Sequence, residues 1–212
     1  MTGQSGRDEA LKLFPALAAI EAELEIYAVL LKRWQAKINL VSAATLDDIW
    51  LRHFADSAQV LAAAPHIARW ADLGSGAGFP GLVTALLLKS TPGAVVHLIE
   101  SDQRKASFLR AVSRETAAPA IIQAERIEAV LPELAGQIDG VSSRALAPLP
   151  RLLELAERPL TAGAIGVFLK GEECQDELTA VEAIDSFTCE SAESRTRTGA
   201  RIVVIKRKAS PS

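Results

Sequence analysis

Cysteine, histidine and positive charge are all in short supply in this chain. Its two cysteines, Cys174 and Cys189, stand at neither metal-ligand nor redox-pair spacing. That excludes a disulfide-stapled scaffold and a cysteine-ligated zinc module, and both residues are expected to be incidental thiols in a reducing cytosol. Three histidines, none at ligand spacing, predict no metal site. Long apolar runs are missing as well: the stretch 82–88 stops at Lys89, far short of a membrane span. The first residues carry Arg7, Asp8 and Glu9 and no apolar signal core, so no membrane association and a cytoplasmic location are expected. The net charge is −3 and the pI about 5.7. A protein that works by bulk phosphate attraction is usually basic, so the charge argues against an indiscriminate RNA binder. Any nucleic-acid role must rest on local basic patches or on a preformed RNA shape. Repeats and low-complexity segments are also absent.

What is present is enough apolar material, 49% of 212 residues, to bury one full core plus a modest extension. The stretch 70–81, Trp-Ala-Asp-Leu-Gly-Ser-Gly-Ala-Gly-Phe-Pro-Gly, organises the rest. A short apolar strand runs into Gly74, Gly76, Gly78 and Gly81, and a buried helix follows from Gly81. Closely spaced glycines let a backbone turn sharply and let a ligand approach where a Cβ would collide. The turn delivers that ligand to the free N–H groups of a helix start. A dinucleotide site wants G-x-G-x-x-G. Here the spacing is G-x-G-x-G with Asp72 two residues ahead, which resembles motif I of S-adenosylmethionine (SAM) methyltransferases. Glu100, 22 positions beyond Gly78 at the end of the second strand, suits a ribose diol, with Asp102 beside it as an alternative.

Residues 7–64 read as helical, with an apolar stripe of Leu17, Ile20, Leu24, Tyr27, Leu31 and Ile38. Pro15 should kink or restart the first helix, and Ser42 or Thr45 could cap the next. From residue 68 strands and helices alternate. Strands are expected at 70–73, 95–99, 120–123, 138–142 and 164–169, with helices at 81–88, 103–114, 127–134, 150–157 and 172–184. Two final strands, 187–190 and 201–206, have no helix between them and should form a hairpin. The pattern predicts a parallel sheet covered on both faces with one antiparallel strand. That is an α/β, seven-stranded, doubly wound class I SAM-dependent methyltransferase layout. Residues 1–66 would be a helical N-terminal extension packed on the core and 67–212 the methyltransferase domain.

Ile127 and Glu128 open the helix after strand three, where this layout closes over adenine; a helix first turn enriched in acid by the macrodipole is the plain alternative. Ser142-Ser143-Arg144-Ala145 is expected as a small-residue turn on the reacting face. Enzymes that methylate exocyclic amines usually carry Asn/Asp-Pro-Pro-Tyr/Phe there, and it is absent. A ring nitrogen such as guanine N7 has a free lone pair and needs no general base, so catalysis would lie in alignment and exclusion of water. Arg144 could hold guanine O6, steady the cofactor, or form a salt bridge to a nearby acid such as Asp72 or Asp139. His53 and Asp56 read as a small structural polar pair. Basic residues cluster at 104–114 and again at 195–208, the second group being the better candidate for phosphate contact.

Several segments, in order, resemble the bacterial small-subunit rRNA guanine-N7 methyltransferases, once called glucose-inhibited division protein B. Residues 34–40 resemble W-N-K-x-I-N-L, with Gln35 in place of the usual Asn. His53, Asp56 and Ser57 fit H-x-x-D-S, and 72–81 match D-L-G-S-G-A-G-F-P-G. Glu100 to Leu109, Arg126-Ile127-Glu128, Ser143-Arg144-Ala145 and Lys170-Gly171 fit further segments; Glu125 stands where a glycine often precedes that arginine. The resemblance implies SAM-dependent methylation of N7 of one guanine, guanine-527 in the 530 loop of 16S rRNA, within a 30S subunit or assembly intermediate. It implies cofactor contacts at Gly74, Phe79, Ile127, Glu128 and Arg144, with Gly76, Gly78 and Glu100 completing the cradle and Arg144 at the reacting centre. Asn39, His53 and Asp56 would support the site or the RNA face, and Asn39, Lys170 and Arg197 are the expected substrate contacts. Competing readings are a SAM enzyme with a small-molecule acceptor or another RNA site, a non-catalytic nucleotide-binding module, and a NAD-dependent dehydrogenase.

Overall fold

The computed structural model describes residues 2–172 and 174–208. The helical first third is more broken than its apolar stripe suggests. Helix α1 (Thr2–Leu13) ends before Pro15, which starts a 3₁₀ segment, Pro15–Ile20, and α2 (Glu21–Gln35) follows. The chain then leaves the helix. Gln35 folds its amide back onto the backbone, Oε1 accepting from Leu40 N (2.9 Å) and Val41 N (3.1 Å) and Nε2 donating to Val41 O (2.9 Å). Such side-chain bonds compete with the next helical turn. A 3₁₀ turn at Ala43–Thr45 and a wide π-type turn at Trp50–Ala55 lead into α3 (Asp56–Ala63). Neither Ser42 nor Thr45 caps a helix with its side chain, contrary to expectation; Thr45 instead donates to Ser42 O at 2.9 Å.

Seven strands follow: β1 (Arg69–Leu73), β2 (Val95–Ile99), β3 (Ala120–Gln123), β4 (Gly140–Arg144), β5 (Ile165–Lys170), β6 (Phe187–Glu193) and β7 (Arg201–Arg207). Between them lie α4 (Gly81–Leu87), α5 (Gln103–Thr116), α6 (Ile127–Val130) with a 3₁₀ continuation, α7 (Leu149–Thr161) and α8 (Gln175–Glu182). Glu173, inside the expected helix 172–184, lies outside the described residues. The sheet order is β3-β2-β1-β4-β5-β7-β6, with β7 antiparallel to both neighbours and the first five strands parallel. The chain reverses direction across the sheet between β1 and β4, so the loops after these strands open the crevice where doubly wound sheets bind ligands. The fourth strand starts two residues later than expected and runs on to Arg144. Ser142 and Ser143 are therefore buried strand residues rather than a turn.

One core lies on each face of the sheet. Trp70, Leu82, Leu86 and Phe108 pack with Leu17, Leu24, Tyr27 and Leu31 of the N-terminal helices. Leu73, Val141, Phe168 and Val203 pack with α7 and α8 through Leu152, Leu153 and Leu178. The Trp70 ring lies where a Cβ on Gly140 would stand, 2.6 Å away, which accounts for glycine at the start of β4.

Candidate active site

Asp72, the penultimate residue of β1, is fully buried beneath the glycine loop. Its Oδ1 accepts from Ser142 Oγ at 2.7 Å, while Oδ2, beside Gly81, has no hydrogen-bond partner. Burial raises its pKa to about 6, against the opposing hydrogen bonds and Arg144. Ser143 Oγ donates to Leu73 O at 3.0 Å, so both serines tie β4 to β1 under the loop.

The loop glycines have different tasks. Gly74, Gly76 and Gly78 all have positive φ (62°, 54° and 90°). A Cβ on Gly78 would strike Leu82 Cδ1 and Tyr27 Oη at 2.5 Å, and one on Gly81 would strike Leu98 and Asp72. These two glycines are required by packing. A Cβ on Gly76 would meet nothing nearer than Gly74 O at 3.7 Å, and Gly76 is half-exposed. Gly74 is half-exposed too, with Leu146 from the β4–α7 loop lying over it. The open side of the turn is thus at Gly76, with Leu146 covering Gly74. Glu100 faces it: Oε2 accepts from Gly76 N (2.9 Å) and Oε1 from Asp102 N (2.8 Å). Each carboxylate oxygen has capacity for a further donor, as a ribose diol would supply. Asp102 is occupied elsewhere, capping α5 through Arg104 N and Lys105 N, and those backbone bonds lower its pKa.

The ring of Phe79 is buried between two others. Tyr27 stacks on it with centroids 5.1 Å apart and His53 at 4.6 Å, both nearly parallel. Tyr27 also donates its hydroxyl to Ala77 O. Phe79 can therefore offer a ligand only its backbone. Ile127 is half-buried at the start of α6, and Glu128 is exposed and pairs with Arg151 at 3.1 Å.

Arg144 does form a salt bridge to a nearby acid, but the acid is Asp56 rather than Asp72 or Asp139. Asp139 pairs with Arg69 (2.6 Å), and Asp72 is taken by Ser142. Arg144 instead reaches across to the N-terminal helices. Its Nη1 donates to Asp56 Oδ2 (3.0 Å) and Arg52 O (3.2 Å), its Nη2 approaches His53 Nδ1 (2.9 Å), and its guanidinium lies 5.1 Å from the Phe79 ring centroid. Asp56 is a hub: Oδ1 also accepts from Thr196 Oγ1 (2.7 Å) and Gln59 Nε2 (3.1 Å), and Gln59 Oε1 accepts from Arg195 N (2.7 Å). These bonds fasten the β6–β7 turn to α3.

Between that turn, Leu40–Thr45 of the N-terminal segment and the ends of β4 and β5 lies a cavity of about 380 Å³. Arg52, His53, Asp56, Arg144, Lys170 and Arg197 line it. Lys170 Nζ is held by Glu177 (2.7 Å) and Ala147 O (3.0 Å), and Arg197 pairs with Glu172 (3.1 Å). Asn39 is exposed just outside the lining, next to Leu40, which Gln35 fixes. The structure thus gathers Gly74, Gly76, Phe79, Glu100 and Arg144 at the crevice and Lys170 and Arg197 at the cavity, with Gly78 as packing. Sequence reasoning missed Gln35's clamp, Tyr27's hold on the loop and the Gln59–Thr196 seam. No group of His, Cys, Asp or Glu among the described residues is placed to hold a metal, and no described helix is long and apolar enough to cross a membrane.

A parallel sheet that switches at β1/β4, an antiparallel seventh strand, a glycine turn open at Gly76 and a carboxylate facing it define a class I SAM-dependent methyltransferase. Solved structures share this fold. A putative O-methyltransferase from Klebsiella pneumoniae superposes with a TM-score of 0.66 over 99% of this chain and all of that one, at 13% identity. The O-methyltransferase TomG from Streptomyces achromogenes, in complex with SAM, gives 0.60 over 88% and 90% at 16%. The family is more specific: residues 20–201 match the family described as rRNA small subunit methyltransferase G, and the chain belongs to it. Its relative in Methylobacterium sp. strain 4-46, called ribosomal RNA small subunit methyltransferase G, is 45% identical over 98% of both chains. The relative of that name in Parvibaculum lavamentivorans is 51% identical over 78% of this chain and 75% of that one.

Proposed function

We propose that the protein transfers the methyl group of SAM to N7 of a single guanine of 16S rRNA, guanine-527 in the 530 loop, presented in a 30S subunit or an assembly intermediate in the cytoplasm. One observation carries the choice of atom: the acids and bases nearest Arg144 are all engaged or sealed, and Glu100, which keeps acceptor capacity, faces the glycine turn instead. His53 has both ring nitrogens engaged, Asp56 is held by Arg144, Thr196 and Gln59, and Asp72 is sealed beneath the loop. An exocyclic amine must lose a proton on methylation, whereas a purine ring nitrogen presents its lone pair directly.

SAM, when bound, supplies an electrophilic methyl on a sulfonium. The residues fit it: Gly76 lets it approach the backbone beside Gly74, which Leu146 overlies, Glu100 would accept from the ribose hydroxyls, and the Ile127–Glu128 corner would meet the adenine. Arg144, which retains an Nε–H and one Nη2–H without a protein partner among the described residues, stands between cradle and cavity. It orients the reacting pair, while Arg197 and Asn39 face the RNA and Lys170 braces the cavity wall. Residues 1–66 serve as an extension that completes the acceptor side of the domain formed by 67–212. The rate then comes from alignment and excluded water.

Incubation with labelled SAM and either protein-free 16S rRNA or 30S subunits, followed by mass mapping of rRNA fragments, tests this. A single added methyl on the 530-loop fragment, at N7, is expected. Label elsewhere in the RNA, on an exocyclic amine, or only on a small molecule would overturn it.

A further inference from the structure

His53 is buried, yet all its polar capacity is used. Its Nδ1 lies 2.9 Å from Arg144 Nη2, its Nε2 lies 2.9 Å from Thr45 Oγ1, and its ring face stacks on Phe79 at 4.6 Å. A guanidinium has only donors, so Nδ1 must be bare and accept. The remaining proton then sits on Nε2 and points at Thr45 Oγ1, whose own hydrogen goes to Ser42 O. We infer that His53 is a positioning residue: a neutral imidazole, protonated on Nε2, that fixes the Arg144 guanidinium at the mouth of the acceptor cavity and links it to Phe79 of the glycine loop.

The inference rests on Arg144 acting at the methyl-transfer site. Its geometry admits one protonation state. A second proton on the imidazole would set an N–H against an N–H of Arg144. The charged groups around the ring favour the neutral form: Arg144 from β4 and Arg52 from its own turn are cationic, and Asp56, one turn on, is already held by Arg144, Thr196 and Gln59. The loop side offers only Phe79, with neutral Tyr27 beyond it. Burial, then Arg144 and Arg52, lower the His53 pKa to about 3. His53 is thus the aiming device for an arginine rather than a base for the reaction. Through the stack, the residue that follows Gly78 in the cofactor turn is in direct contact with the group that holds Arg144.

Two variants separate this role from mere packing. His53→Phe keeps a flat ring on Phe79 and removes the acceptor; His53→Asn keeps an acceptor oxygen close to Nδ1 and removes the ring. Methyl transfer to 30S subunits with labelled SAM is measured for each, together with thermal melts and 15N NMR of the histidines in the wild type. The NMR should show His53 as the Nε2–H tautomer, unchanged from pH 8 to pH 5. His53→Phe should lose at least tenfold in kcat with KM for the particle within threefold of wild type. His53→Asn should recover at least a third of wild-type kcat although its stacking is gone. A His53 resonance titrating between pH 6 and 7, full turnover in His53→Phe, or kcat in both variants falling only in step with melting temperature would each overturn the inference. The NMR readout does not depend on the methyl acceptor, so a wild type that methylates no RNA would sink the functional proposal and leave the tautomer assignment standing or falling by itself.

Discussion

Alanine at two nearby glycines of the loop should have different consequences. Gly76→Ala places its methyl in open space, its nearest neighbour being Gly74 O at 3.7 Å, and its φ of 54° is the left-handed region. That conformation costs a non-glycine residue about 1–2 kcal/mol. For a chain of this size the melting temperature should fall by about 2–8 °C. The methyl projects on the side where the cofactor must approach, so SAM affinity should drop by at least about tenfold, roughly 1.4 kcal/mol. Gly78→Ala meets Tyr27 Oη and Leu82 Cδ1 at 2.5 Å with φ at 90°. Backbone strain of about 1–3 kcal/mol adds to overpacking of about 1–3 kcal/mol, and this variant should melt lower than Gly76→Ala. The assay is isothermal titration with SAM alongside melts with and without it. Saturating SAM at about 100 times the wild-type Kd should stabilise the wild type by roughly 2.7 kcal/mol, and at the same concentration this gain should fall to roughly 1.4 kcal/mol or less in Gly76→Ala. Wild-type SAM affinity in Gly76→Ala would refute the division of labour within the loop.

Three further outcomes follow from the same geometry. Arg144→Ala should lower turnover by about a hundredfold or more through misalignment of the reacting pair; wild-type turnover would leave Arg144 as a strut between β4 and α3. Tyr27→Phe keeps the stack on Phe79 but strands the buried Ala77 carbonyl, at a cost of about 1–3 kcal/mol. Thermal melts should show that loss and SAM titration a weakened cradle, and an unchanged melting temperature would mean the carbonyl has another donor. Asp72 keeps its proton up to about pH 6 in the fold and releases it near 3.8 when unfolded. Its contribution to stability is therefore full below about pH 4 and lost as pH rises through 6. Asp72→Asn, which does not titrate, should gain on the wild type between pH 4.5 and 7.5, and a melting difference constant across that window would show that Asp72 is not the group responsible.

Much of the α/β core was legible because its signals are local. Strands 95–99 and 120–123 stand where their short apolar runs placed them, and the hairpin was implied by two strand-like runs with no helix between. The fourth strand was misplaced because Ser142 and Ser143 look like turn residues; only Asp72 and the Leu73 carbonyl, from the neighbouring strand, explain two serines in a buried position. The helical third was read too continuously, since nothing local shows that Gln35 turns back on Leu40 and Val41. The cofactor turn could be read from glycine spacing, but spacing could not tell that Gly78 serves Tyr27 while Gly76 faces open space. Arg144's partners lie 88 to 92 positions away, and Thr196 lies 140 from Asp56. No pattern within a window of sequence carries such pairings.

That last separation has a consequence for the order in which the molecule matures. Contacts between distant positions carry the largest closure entropy and tend to form late. The donor side is built from a turn and its adjoining strands, whereas the acceptor side waits for residues 194–202 to latch onto Gln59 and Asp56. On the proposed reading, a chain caught midway would hold its reagent with nowhere to seat the nucleobase, and the methyl group would go unspent until the final latch is home.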